Sequence, residues 1–393
     1  MELHTFTSSE ELELRYDKIR RAMCDYGLDA LLVSSNPNLY YTTGTIISGW
    51  VYIPHDGDVL YLVHRPERLT GKNIHSVRKP ELIVDTLRSL GVTLPSRLGI
   101  ELQSLDYNSA LRLIKAFDGI ETADGSGALY AARYVKTDYE ISLQKQSGVR
   151  HSAVYSRIPG MYQSGMTDIE LQIEIERTLR REGCLGQMRV AGDTMEIFMS
   201  NVLVGENADN PSPYDFAMGG AGMDPSLPVG ANGTLIQPGM SVMVDANGNF
   251  TGYMTDMTRV FSLGTLSDLA MKAHECSIRI CDELAKAGRP GVKASELYEL
   301  AVSIAADNGL SHYFMGHNQK AGFVGHGIGI ELNEAPVLAP RSRHILAEGN
   351  SIAIEPKFVI PDTGAVGIEN TYIVRTDGME CITSAPKQII PLQ

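Results

Sequence analysis

The sequence predicts two domains: an α/β domain over the first third, then an α+β domain built as an internal duplication. Three observations carry this reading. The chain has 393 residues, more than one ordinary hydrophobic core accommodates. Strand-like and helix-like runs alternate over roughly the first 120 residues. Beyond residue 160, two Gly-to-Gly helical units of equal length recur, GMTDIELQIEIERTLRREG from Gly165 and GVKASELYELAVSIAADNG from Gly291. Domain limits of 1–130 and 131–393 are expected.

The first domain opens with a helix. Ser8 with Glu11 reads as a capping box, Tyr16, Ile19, Met23 and Tyr26 follow at helical spacing, and Gly27 is placed to close it. Asp29–Ser34 reads as a buried strand. Gly49–Ile53 and Val59–His64 flank Asp56-Gly57 as a hairpin. Leu98–Glu101 is a further strand, and Ala110–Phe117 is helical. This domain has no cluster of histidines or carboxylates, so a structural or oligomerisation role is expected of it. The small-residue segment Asp124–Ala132 reads as the linker, and a long helix is predicted from near Asp138.

Composition limits function. Hydrophobic residues make up 43% and charged residues 21%, as in a globular protein. No apolar run is long enough to span a membrane, and the start of the chain is polar and acidic, unlike a secretory signal. A net charge of −13 opposes nucleic-acid binding. The five scattered cysteines read as reduced thiols, so a cytoplasmic location is expected.

The residues that carry chemistry lie after each repeated helix. In SVMVDANGNFTGYMTDMTRVF, a hairpin with Asn247-Gly248 as its turn puts Asp245 on one strand and Asp256 on the other. Asp is depleted in strands, and two buried carboxylates repel unless a cation lies between them. In SIAIEPKFVIPDTGAVGIENTYIV the pattern recurs with Glu355 and Glu369. Between the two hairpins lies His326, flanked by glycines that let backbone approach a site closely. Four facing acids call for roughly two divalent cations.

These segments resemble the pita-bread metallopeptidases, the family of Xaa-Pro dipeptidase, aminopeptidase P and the creatinase-like proteins. The carrying motifs are VD…D.TR, GHGIG, EP and IEN, together with LDALLVSSNPNLYYTTG in the first third and RYVKTDYEI at Arg133–Ile141. The resemblance covers nearly the whole chain. It implies a creatinase/prolidase-type N-terminal domain and a pita-bread C-terminal domain with a pseudo-twofold. It implies two divalent ions held by Asp245, Asp256, His326, Glu355 and Glu369, with Asp256 and Glu369 bridging. A metal-held hydroxide would attack the scissile carbonyl, with Glu355 relaying the proton. A hard, oxygen-rich ligand set suits Mn, Fe or Co and admits Zn. A homodimer acting on short peptides or small amides is expected on the same grounds.

Three positions depart from the family pattern. No His lies between His151 and His274, where the family has one ahead of its first metal Asp; Ser226–Ala231 stands in that region. Asn333-Glu334 replaces His-Glu. Gly367 replaces the Arg ahead of the last metal Glu. These are the family's substrate-gripping groups, so Asn333 and His317 become candidate substrate contacts, and the 205–233 loop a candidate wall. The rival readings are a small-molecule amidohydrolase or lyase on the same scaffold, and a binding module without catalysis.

Overall fold

The computed structural model describes residues 5–192, 195–214 and 216–393. Residues 1–4 of the polar N-terminal segment and Asp215 of the 205–233 loop lie outside them. The chain divides into two compact units, Met1–Arg133 and Tyr134–Gln393.

The first unit is a mixed six-stranded sheet with helices. Its helices are α1 (Ser9–Asp25), α2 (Asn36–Thr43), α3 (Ile83–Ser89), α4 (Tyr107–Ala116) and α5, which begins at Ser126 and ends at Tyr134. Its strands are β1 (Ala30–Val33), β2 (Ser48–Pro54), β3 (Leu60–Arg65), β4 (Ile74–Ser76), β5 (Arg97–Ile100) and β6 (Glu121–Asp124), ordered β4-β3-β2-β1-β5-β6. The Ser8 hydroxyl accepts from Glu11 N, and Gly27 follows the helix with φ 62°. Gly57, in the β2–β3 turn, has φ 109°. The expected linker is overturned. Asp124 ends β6, and the residues after it form α5, burying Ala128, Leu129 and Ala132. Small residues there serve close packing, and alanine favours helix.

The second unit holds α6 (Asp138–Tyr155), α7 (Asp168–Arg181), α8 (Asp268–Ala287) and α9 (Ala294–Asp307). Among the described residues its strands are β7 (Ser200–Val204), β8 (Ser241–Asn249), β9 (Met254–Ser262), β10 (Gly325–Gly327), β11 (Glu334–Val337), β12 (Ser351–Ile354), β13 (Lys357–Ile360), β14 (Gly364–Gly367), β15 (Asn370–Arg375), β16 (Gly378–Cys381) and β17 (Ile390–Pro391). Two larger sheets result, β17-β9-β8-β7 and β11-β10-β12-β15-β16, plus the ribbon β13-β14.

The duplication is visible in three dimensions. The repeated units are α7 and α9, each 14 residues long, each introduced and followed by a glycine with positive φ. Each half has its own core. One gathers Val154, Leu171, Ile175, Val242, Val244, Met257 and Phe261. The other gathers Met243, Val260, Ile280, Leu297, Ile352, Ile354, Tyr372 and Val374.

Strand alternation then aims the acids. In β8, Val242, Val244 and Ala246 face the first core and Met243 faces the second, so Asp245 points with Met243 toward the second half. Asp256 and Thr258 share the parity of Val260 in β9 and point the same way. Ile352 and Ile354 face the second core, which turns the next odd-numbered position, Glu355, toward the first half.

The turn of the first hairpin lies elsewhere than expected. β8 runs through Asn247-Gly248, and the chain reverses at Phe250–Tyr253, with Asn249 paired to Met254. Gly248 is needed for packing: a Cβ there would lie 2.6 Å from Thr255 Oγ1 and 2.7 Å from His151 Nδ1. Gly252, with φ 86°, makes the turn.

Candidate functional site

Among the backbone hydrogen bonds that join the two halves, one pair forms a seam at the site. Glu369 N donates to Thr258 O at 3.1 Å and Thr258 N to Glu369 O at 3.4 Å, an antiparallel bridge between the halves. Around it, Thr371 Oγ1 accepts from Asp256 N at 2.8 Å, and Thr258 Oγ1 donates to Glu369 Oε2 at 2.7 Å. Arg259, 1% exposed, closes the seam from beneath. Its guanidinium donates to Thr258 O, Glu369 O, Asn370 Oδ1, Ala385 O and Pro386 O at 2.7–3.0 Å. All five donors of one arginine are committed, three to the seam at Thr258, Glu369 and Asn370 and two to the 385–386 segment.

The structure brings Asp245, Asp256, His326, Glu355 and Glu369 together. Two overlapping groups could each hold a cation, Asp256–His326–Glu369 and Asp245–Glu355–Glu369, with ligand atoms within 4.8 Å of one another in each. The glycines beside His326 act as the sequence reading expects. A Cβ on Gly325 would lie 2.5 Å from Ala353 O, and one on Gly327 2.1 Å from Ala335 O. His326 Nδ1 lies 3.0 Å from Gly327 O, so it donates there and leaves Nε2 facing Glu355 at 3.4 Å and Asp256 at 3.9 Å. Asn247, with its amide turned to donate, reaches both Asp256 oxygens at 3.1–3.2 Å.

One residue in the site has no counterpart in the sequence reading. Lys357, fully buried at the start of β13, places Nζ 2.7 Å from Asp245 Oδ2, 2.8 Å from Glu355 Oε2 and 3.2 Å from Glu369 Oε2. In an extended chain, residues two apart share a side, so the Lys two positions after Glu355 was readable as its counter-charge.

The charges respond to this arrangement. Burial alone would raise Glu355, but Lys357 and His326 outweigh it and hold its carboxyl down at about 2. Burial would lower His326, but Glu355 and Glu369 bring it up to about 9. Burial and then the neighbouring acids push Asp256 well above the carboxylate range. Burial and then Glu355 raise Glu369 to about 8. The under-compensated acids are therefore Asp256 and Glu369, the pair beside His326, and Glu369 Oε1 is buried without a hydrogen-bond partner. Those residues fit one divalent cation. The Asp245–Glu355–Glu369 group already contains an ammonium, so the residues present do not fit a second.

Above the acids lies a cavity of ≈ 190 Å³. Asp245, Asp256, Glu355 and His326 form its floor, and Ile197, Phe198, Phe216, Phe323, Leu332 and Val337 are among its apolar walls. Phe216 to Met218, from the 205–233 loop, also line it. Among the described lining residues there is no Lys or Arg.

The two proposed substrate contacts fare differently. Asn333 borders the cavity, but its amide is engaged with the backbone of Ala191: Oδ1 accepts from N at 2.6 Å and Nδ2 donates to O at 3.2 Å. His317 is not among the cavity-lining residues; its Nδ1 lies 2.9 Å from Asp209 Oδ2. Glu334 is bound to Lys136 at 2.8 Å and to Ile330 N and Glu331 N. Gly367 faces Lys357 across the β13–β14 ribbon, where a Cβ would lie 2.6 Å from Pro356 O. Among the described residues, no helix is long and apolar enough to cross a membrane.

Comparison with known proteins agrees with this architecture. Residues 15–135 match the model of the creatinase/prolidase N-terminal domain, and residues 142–376 that of metallopeptidase family M24. An uncharacterized peptidase of Bacillus subtilis is 27% identical over 389 residues, 96% of this chain and 100% of that one. A Xaa-Pro dipeptidase of Pyrococcus horikoshii is 25% identical over 381 residues, 95% of this chain and 97% of that one. The structure of a Xaa-Pro dipeptidase from Bacillus anthracis, 26% identical, superposes with a TM-score of 0.80 over 97% of this chain and 100% of that one. With its second unit matched over most of its length and its acids and histidine gathered at the seam of a duplicated fold, the chain belongs to metallopeptidase family M24.

Proposed function

We propose that the chain is a hydrolase of short Xaa-Pro-type peptides or small amides whose acidic end is blocked or extended, assisted by a divalent ion at Asp256, His326 and Glu369. The observation that carries this is the cavity: an acid and histidine floor under apolar walls, with no Lys or Arg among its described lining. Apolar walls suit a prolyl or similar ring. A free C-terminal carboxylate would meet buried acids with no Lys or Arg beyond the ion-binding group to pair with, which disfavours it. The Xaa-Pro dipeptidases among the relatives support the peptide class.

A bound divalent ion supplies Lewis acidity, polarising a carbonyl and lowering the pKa of a water. The chain's own residues do the rest. Glu355 lines the cavity and is kept ionised beside Lys357 and His326, so it is placed to accept a proton from an attacking water. Asp245, the most open of the acids at 23% side-chain exposure, faces the cavity and suits a substrate amine. The apolar walls exclude bulk water.

The second reading, a small-molecule amidohydrolase, is favoured by the engagement of Asn333 with Ala191, which leaves little of its amide for a peptide. A substrate screen of the metal-loaded protein separates the two. Xaa-Pro amides and longer Xaa-Pro peptides are expected to turn over faster than the free dipeptides. Turnover of cyclic or simple amides alone would favour the second reading, and no turnover of any amide with metal content verified would overturn both.

A further inference from the structure

We propose that the Lys357 ammonium permanently occupies one of the two cation positions of the site, so that the chain holds a single divalent ion, at Asp256, His326 and Glu369. This rests on the metal-site reading above and refines it.

The geometry carries it. An ion bound by Asp245, Glu355 and Glu369 must sit among their facing oxygens at roughly 2.0–2.2 Å. Lys357 Nζ is already there, within 2.7–3.2 Å of all three carboxylates. An ammonium and a metal ion positioned by the same oxygens occupy the same place, and their like charges exclude each other.

The lysine has little freedom to leave. Its side chain is fully buried, and its backbone is fixed at both ends: N lies 3.4 Å from Met315 Sδ, and O accepts from Met315 N at 2.8 Å. Across the ribbon it faces Gly367, whose absent Cβ would sit 3.0 Å from Lys357 Cα. The departure noted at Gly367 and the lysine thus sit directly opposite each other.

The second independent observation is on the other side of Glu369. Its Oε2 is taken up by Lys357 and Thr258, while Oε1 is buried with no partner. That atom belongs to the carboxylate shared with Asp256 and His326. Charge balance agrees. Four carboxylates against one ammonium and one divalent ion leave a residual of one negative charge, whereas two divalent ions beside the ammonium would exceed the acids.

Lys357 is a positioning residue here. It does not line the cavity, and it acts by fixing Asp245 and Glu355, which do. The test reads metal content, not turnover. Wild-type protein, stripped with chelator, reloaded with excess Mn(II) and passed through gel filtration, is expected to carry one ion per chain by elemental analysis. Lys357→Gly, which vacates the position, is expected to carry two. Asp245→Asn is expected to keep one, since Asp245 serves the lysine, and Asp256→Asn to carry none. Two ions in the wild type would overturn the inference and leave the metal reading standing. No ion in the wild type would overturn both. Loss of the ion in Asp245→Asn, or a folded Lys357→Gly that still holds one, would overturn the inference. If Lys357→Gly does not fold, the wild-type and Asp245→Asn stoichiometries decide.

Discussion

Arg259 shows how much of the site rests on one side chain that never touches it. Its guanidinium satisfies four backbone carbonyls and one amide oxygen around the seam, and the three at Thr258, Glu369 and Asn370 are buried. Each buried acceptor left unpaired costs roughly 1–3 kcal/mol. Arg259→Leu is therefore expected to destabilise the protein by at least about 3 kcal/mol in urea unfolding. Arg259→Lys should recover only part of this, because an ammonium cannot reach five acceptors held in a plane. A loss below about 1 kcal/mol for the leucine variant would show that the seam is held elsewhere. The TR pair was visible in the sequence as a motif, but its role was not, since the partner carbonyls come from residues far along the chain. Lys357 was harder to see because it stands in an apolar run, where one cation reads as an incidental surface residue. Its burial decides otherwise, and burial is a property of the folded halves together.

At the level of elements, sequence patterning located most strands and helices, and its errors have physical causes. Asn247-Gly248 has the residue types of a tight turn, but His151 packs where a Cβ of Gly248 would be, and Asn247 serves Asp256. Composition marked residues 124–132 as a linker, whereas small residues also form closely packed helices such as α5. The segment around Ala191 has no hydrophobic periodicity to mark it in the sequence. It supplies Met195, Ile197 and Phe198 to the cavity, and Asn333 ties it down through two hydrogen bonds. Removing that tie in Asn333→Ala is expected to loosen the wall and leave the acids in place. KM on the best substrate of the screen should rise about three- to tenfold with kcat changed less, consistent with about 1 kcal/mol of lost ordering. A drop in kcat at unchanged KM would instead place Asn333 in the chemical step.

Across the whole molecule, two buried histidines, His151 and His274, weaken the fold toward acid. Burial, reinforced by Arg259, lowers His151 to about 3. Burial likewise takes His274 down to about 4, with Nε2 2.7 Å from Lys387 O. An unfolded histidine takes up its proton near pH 6.5. As pH falls below that value the unfolded state gains protons that the folded state refuses, so stability drops until the folded pKa is reached. The loss is about 1.4 kcal/mol per pH unit for each histidine. Between pH 6 and 4.5, His274→Gln should therefore show a shallower decline of urea midpoint with acidification than the wild type, by about one proton. Parallel declines would mean that His274 is protonated in the folded protein.

The lysine at the seam also bears on how the chain is made. Asp245 and Asp256 leave the ribosome well before His326, Lys357 and Glu369. Until the later segment arrives, the first hairpin carries two acids on one face without the Lys357 ammonium and His326 that meet them in the folded protein. Neither half contains a complete ion-binding group: Asp256 belongs to one, His326 and Glu369 to the other. Because the ammonium travels within the polypeptide, the closing of the seam neutralises part of this charge whatever the cellular metal supply. Docking of the two halves can thus precede metal loading, and the ion enters a site whose shape has already been set.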